Sequence, residues 1–166
     1  MILGMSTPAF TQFHVIISLV GIFTGLVALF GLLSASRLPT WTALFLLTTI
    51  ATSVTGFMFP STGLDAARVV GVISLVVLAI ALLALYSYHL VGAWRWVYVV
   101  SSTMALYLNV FVGVVQSFQK VPFLHPLAPN GSEPPFIIAQ VLVMAIFVVL
   151  GILAVKWFHP VVRVLV

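Results

Sequence analysis

Three polar side chains recur every seven residues within one long apolar segment: Ser102, Asn109 and Gln116. An α-helix turns by about 100° per residue, so this spacing lines them up on one side of a helix, and Lys120 falls within the same arc. A carboxamide that faced hydrocarbon would leave its hydrogen-bonding atoms unpaired, which is costly. The line therefore faces other helices, a ligand or water. Hydrogen bonding between helices is the ordinary use of such residues, and lining a ligand site is the functional alternative.

A face of hydroxyl groups runs along an earlier apolar segment, from Thr48 to Thr55. Each hydroxyl can donate to the carbonyl one turn earlier in its own helix, so the face alone indicates close helix packing. Placed opposite Asn109, it would complete a polar seam between the second, fourth and fifth apolar segments. The sequence thus predicts a set of candidate ligand-binding residues, namely Thr52, Thr55, Ser102, Asn109, Gln116 and Gln140.

The histidines are weak candidates for binding metal or haem, and they are His14, His89, His125 and His159. All lie at the ends of apolar segments or in a loop, without a tight ligand spacing such as HxxxH. We interpret them as solvated ends of helices, with haem or metal ligation as the alternative. No catalytic residue is predicted, because the chain has no cysteine and its carboxylates, Asp65 and Glu133, are placed to cap helices.

The elements that must position these residues are membrane-spanning helices. The 166-residue chain is 63% hydrophobic and 5% charged, against about 45–50% and about 25% in soluble domains. A span needs roughly 20 mostly apolar residues, and lipid offers the backbone no water, so each span must be a helix. The sequence predicts one all-α transmembrane bundle over residues 1–166, with a long loop at 119–135 and five spans at about 10–33, 41–59, 69–90, 96–118 and 136–158.

Basic residues are distributed unevenly between the two sides of these spans. One side holds Arg68 and Lys120, and the other holds Arg37, Arg95, Lys156 and Arg163. By the positive-inside rule, this asymmetry favours an N-terminus outside and a C-terminus in the cytoplasm. No cleavable signal peptide is predicted, because residues 1–13 carry no charged side chain.

Gly21 and Gly25 form a GxxxG pair in the first span. Glycines at this spacing let two helix backbones approach closely. We expect packing within the bundle, with a homodimer or contact with a larger membrane complex as alternatives. The basic residues are too scattered for nucleic-acid binding.

Three runs of the sequence resemble a family of small bacterial inner-membrane proteins. They are Thr52 to Phe57, Tyr107 to Gln116, and Leu127 to Phe136. The resemblance covers most of the chain and implies a bacterial inner membrane. It implies no reaction and no ligand.

Three functions are compatible with these features. The first is a non-enzymatic membrane protein that binds or passes a small or lipidic molecule through the outer half of the polar seam. The second is an accessory subunit of a larger membrane complex. The third is a redox protein that holds haem or a quinone at the terminal histidines; the first interpretation requires no cofactor.

Overall fold

The computed structural model describes residues 1–60, 63 and 65–160. Its α-helices are α1 (Thr7–Leu33), α2 (Pro39–Gly56), α3 (Ala66–Leu82), α4 (Trp94–Lys120) and α5 (Pro134–Trp157). A π-helical turn, Leu83–Ser87, continues α3, and a 3-10 turn, His125–Leu127, lies in the loop before α5. The described part of the chain contains no β-strand apart from an isolated bridge between Ile2 and Met5. The predicted all-α architecture is confirmed.

Local sequence explains where the helices begin and end. The Ser6 side chain accepts from the backbone N–H of Ala9 at the start of α1, and Asp65 accepts from that of Arg68 at the start of α3. The helices differ from the predicted spans by a few residues at most ends. The largest difference is in the third span, which was predicted to reach Leu90. Its regular helix ends earlier, because His89 and Leu90 have left-handed backbones with φ of 48° and 62°.

Four of the described helices are long and apolar enough to cross a membrane: α1, α3 with its π-helical turn, α4 and α5. Such helices indicate a membrane protein. The remaining helix, α2, has 18 residues and is rich in threonine. Hydroxyl groups lower its hydropathy, so length and composition alone do not qualify it as a span.

Helix α4 is central in the bundle, where it packs against α1, α3 and α5. Helix α2 packs mainly against α1 and α3, and α5 packs against α4 and α1. Two members of the polar line of α4, Ser102 and Asn109, lie beside residues of α1 and α2. This differs from the predicted seam, which placed α5 rather than α1 beside α2 and α4.

The apolar core occupies one half of the bundle. We name the end that carries Arg37 and Arg95 the Arg95 end, and the opposite end, with His14 and Lys120, the Lys120 end. Every member of the main buried cluster lies in the half of its helix nearer the Arg95 end, within 28–32, 45–46, 78–90, 98–106 and 147–158.

Arg95 ties two helices together at its end of the bundle. Its Nη1 donates to the backbone carbonyl of Val155 at 3.1 Å and to that of Phe158. Val155 lies in the last turn of α5 and Phe158 directly follows the helix, so neither carbonyl has an intrahelical donor. Beside them, the rings of Trp94 and Tyr88 stack with centroids 3.8 Å apart. The end of α5 is thus fixed to the start of α4.

Candidate polar site at the Lys120 end

Asn109 lies at the junction of α1, α2 and α4. It is 8% exposed, and its Nδ2 has no hydrogen-bond partner. A β-carbon placed on Gly21 would lie 3.0 Å from this Nδ2, 3.2 Å from Thr48 Oγ1 and 3.3 Å from Thr49 Oγ1. Thr49 Oγ1 is likewise buried and unpaired. Two buried polar side chains with unused hydrogen-bonding atoms therefore converge on a position where α1 has no side chain.

His14 joins α1 to α2 nearer the Lys120 end. Its Nδ1 lies 2.8 Å from Thr55 Oγ1, and its ring meets that of Phe59 edge-on. Thr55 also donates to the carbonyl of Ala51, and Thr52 to that of Thr48, so both hydroxyls are satisfied within α2. Of the predicted site residues, Thr55 thus contacts α1 through His14, and Asn109 lies beside Gly21 of the same helix.

The segment of α4 beyond Asn109 is loosely packed. All residues from 110 to 117 are half-buried, which covers every side of the helix over two turns. Gln116 lies in this segment, and Lys120 is exposed at its end. A β-carbon placed on Gly113 would lie 3.5 Å from Ile22 Cδ1 of α1, which is an ordinary contact distance. The helices are therefore less tightly apposed here than at the Arg95 end.

Lys120, exposed at the end of α4, supplies a positive charge close enough to interact electrostatically with His14. In the described part of the chain, the carboxylates are used elsewhere: Asp65 caps α3, and Glu133 accepts from the backbone N–H groups of Asn130 and Ser132. Desolvation acts to raise the pKa of Glu133, but these hydrogen bonds outweigh it and hold the pKa below its ordinary value.

Ser102 and Gln140 lie outside this group. Ser102 lies two turns from Asn109 toward the Arg95 end and lines a cavity of about 10 Å³. Gln140 of α5 donates through Nε2 to the carbonyl of Phe111 at 3.2 Å, while its Oε1 is buried without a partner. Phe111 and Asn109 are about 200° apart around α4, so Gln140 contacts a different side of that helix.

The histidines are distributed over both ends of the bundle. His125 and His14 lie at the Lys120 end, and His89 and His159 are exposed at the other. Within the residues that the structure describes, no group of three or more histidine, cysteine or acidic side chains could hold a metal ion.

Sequence reasoning missed the contribution of α1 to the site. It assigned Gly21 to helix packing and His14 to a solvated helix end. A signal was present, because His14, Gly21 and Ala28 also recur every seven residues. This line on α1 faces the line of the same period on α4.

Comparisons with protein-family models, with curated proteins and with solved structures returned no match. The apolar helices indicate a helical membrane protein, and buried, unpaired polar atoms lie between α1, α2 and α4.

Proposed function

We propose that the chain is a five-span, non-enzymatic protein of a bacterial inner membrane that binds a lipidic molecule at the Lys120 end. The molecule's polar head would lie between α1, α2 and α4, and its apolar part along the loosely packed segment of α4. The observation that carries this proposal is the pair of buried, unpaired polar atoms beside Gly21.

The fifth span would be α2. Its 18 residues rise about 27 Å, close to the roughly 30 Å thickness of the hydrocarbon layer. It packs antiparallel along α1, with contacts from His14 and Thr55 at one end to Gly31 and Leu38 at the other. A helix that follows a membrane-spanning neighbour over this length crosses the same layer.

With five spans, the two termini lie on opposite sides of the membrane. Basic residues at the Arg95 end favour the cytoplasm for that end, which would put the polar site in the outer leaflet. One contributor to this asymmetry, Arg163, lies outside the described residues. Reporter fusions would test the orientation: alkaline phosphatase fused after residue 166 should be inactive, and an active fusion would contradict it.

The chemistry of the site favours a head group that accepts hydrogen bonds. Asn109 Nδ2 is a donor without an acceptor, and a buried donor left unpaired costs about 1–3 kcal/mol. A bound acceptor would recover part of that cost. Lys120 at the opening favours a head group that is neutral or negative, and Asp65 and Glu133 are used elsewhere.

Analysis of molecules retained after purification would test the proposal. Protein extracted from a bacterial membrane in mild detergent would be examined by native mass spectrometry. We expect a bound lipidic species on the wild type and about tenfold less on Asn109→Leu, because one lost hydrogen bond of about 1.4 kcal/mol is a factor of ten.

A matched control is Ser117→Leu on the same helix. Ser117 is half-buried and already donates to the carbonyl of Gly113, and it lies about 80° around α4 from Asn109. It should retain the ligand as the wild type does. Equal retention by all three proteins would contradict the proposed site.

A further inference from the structure

The interface of α1, α2 and α4 contains a second polar group, closer to the Arg95 end. Tyr98, Thr42 and Ser102 are all buried, and the Tyr98 hydroxyl lies near the other two hydroxyls and near Arg37. Thr42 in turn donates to the backbone carbonyl of Arg37 at 3.0 Å. These buried hydroxyls connect the interior of the bundle to the loop between α1 and α2.

One apolar layer separates this group from the polar site at Asn109. It consists of Gly25, Phe45 and Leu106, one residue from each helix. Phe45 is 2% exposed and Leu106 is 1% exposed. A β-carbon on Gly25 would lie 2.5 Å from Leu106 Cδ1 and 2.7 Å from Phe45 Cδ2, so both side chains lie directly on the α1 backbone.

Helices α2 and α4 repeat the same order of layers, while α1 contributes only small residues there, Gly21, Gly25 and Ala28. On α2 the order is Thr49, Phe45, Thr42, and on α4 it is Asn109, Leu106, Ser102. The steps are three or four residues, which is one helical turn or about 5 Å. The apolar layer is therefore a single turn thick, with buried polar groups on both sides.

A small cavity adjoins the apolar layer on its Arg95 side. Its volume is about 10 Å³, and Gly25, Phe45, Leu106, Ser102 and Thr103 are among its lining residues. Thr103 is 7% exposed and its Oγ1 has no hydrogen-bond partner. A space of this size with several polar atoms around it suits a single water molecule.

We propose that Phe45 and Leu106 form an apolar plug in a membrane-crossing pathway for water-sized, uncharged molecules. The structure is the closed form, because a dry constriction excludes water. Hydroxyl groups line both adjoining layers, the Asn109 amide lies in one of them, and neither Thr49 and Asn109 nor Thr42 and Ser102 carries a charge to attract ions. The pathway does not depend on the lipidic ligand proposed above.

Osmotic shrinkage of proteoliposomes, followed by stopped-flow light scattering, would test the plug. We expect wild-type vesicles to shrink close to the rate of protein-free vesicles. Leu106→Ala should raise water permeability per protein at least threefold, and Phe45→Ala should do so as well. Adding Asn109→Leu to Leu106→Ala should return the permeability toward the wild type, because it closes the neighbouring polar layer.

Leu78→Ala is the matched control. Leu78 is 1% exposed in the same core but belongs to α3, which contributes no residue to the plug. Equal permeability of Leu106→Ala and Leu78→Ala, at either a low or a raised value, would overturn the proposal. A leak of sodium ions that rises as much as that of water would also overturn it, since general disruption of the bundle admits both.

Tryptophan fluorescence should first show that each variant is folded. If Leu106→Ala fails to fold, Leu106→Val makes the same test with a smaller opening. Its permeability should lie above that of the wild type, and a value equal to the wild type would count against the plug. Ligand retention by Asn109→Leu tests only the proposed function, and the water permeability of Leu106→Ala tests only the plug. The two proposals can therefore fail separately.

Discussion

The two ends of the bundle are built from the same five helices but are packed differently. At the Arg95 end, apolar side chains from every helix interlock, and Arg95 fixes the last turn of α5. At the Lys120 end, α4 is half-buried on all sides over residues 110–117. The buried side chains there include Thr55, Asn109 and Gln140.

The difference shows what each kind of residue does in a membrane. The hydrophobic effect does not drive helices together in lipid, so close packing and hydrogen bonds between helices must do so. The Arg95 end uses both to build a tight junction. Of the four buried side-chain atoms without a partner in the described residues, those of Thr49, Asn109 and Gln140 lie toward the Lys120 end, and the fourth is Thr103 Oγ1. This concentration suits a region that accommodates another molecule.

The largest predicted effect is the loss of the Arg95 junction. Arg95→Ala removes the donors to the carbonyls of Val155 and Phe158, and a hydrogen bond from a charged group contributes about 1.5–3 kcal/mol. We expect a loss of stability of that size, measured by unfolding in mixed micelles with tryptophan fluorescence. Arg37→Ala, which alters an exposed arginine at the same end, should change stability by less than about 0.5 kcal/mol. Equal losses of stability in Arg95→Ala and Arg37→Ala would show that the hydrogen bonds of Arg95 do not hold this end of the bundle together.

A pair of glycine substitutions compares the two ends directly. Gly25→Ala forces a methyl group against Leu106 and Phe45, which are buried and cannot move away, and should cost about 1–3 kcal/mol. Gly113→Ala meets only Ile22 at ordinary contact distance. It should be neutral or stabilise the helix by up to about 1 kcal/mol, because alanine favours helix over glycine. The same unfolding assay measures both, and a large cost for Gly113→Ala would mean that the Lys120 end is as tightly packed as the other.

Much of the fold follows from the sequence because apolar length is a strong signal. The positions of the helices and the seven-residue line of Ser102, Asn109 and Gln116 could be predicted from periodicity alone. The partners of that line could not, since periodicity gives the face of a helix but not its neighbour. The choice of α1 over α5 depends on Gly21, whose missing side chain admits Asn109 and Thr49.

The polar seam was expected in the outer half, but the difference in helix packing between the two ends was beyond the sequence. Leucine, valine and phenylalanine occur along all the helices, and composition does not distinguish those that face lipid from those that interlock. Phe45 is buried against Gly25, whereas Phe23 on α1 is 59% exposed. Only the packing of the helices separates the two.

The smallest predicted effect concerns pH at the loop that borders the Lys120 end. The pKa of Glu133 is lowered by hydrogen bonds from Asn130 and Ser132, so these bonds stabilise the loop when the carboxylate is ionised. The stabilisation should be complete above the ordinary glutamate pKa of about 4.3 and should be lost as pH falls through the lowered value. Amide hydrogen exchange at Asn130 and Ser132, corrected for the intrinsic effect of pH, should therefore accelerate below about pH 4. Glu133→Gln should abolish this pH dependence while leaving exchange at the Arg95 end unchanged, and an unaltered pH profile in the variant would remove Glu133 as its cause.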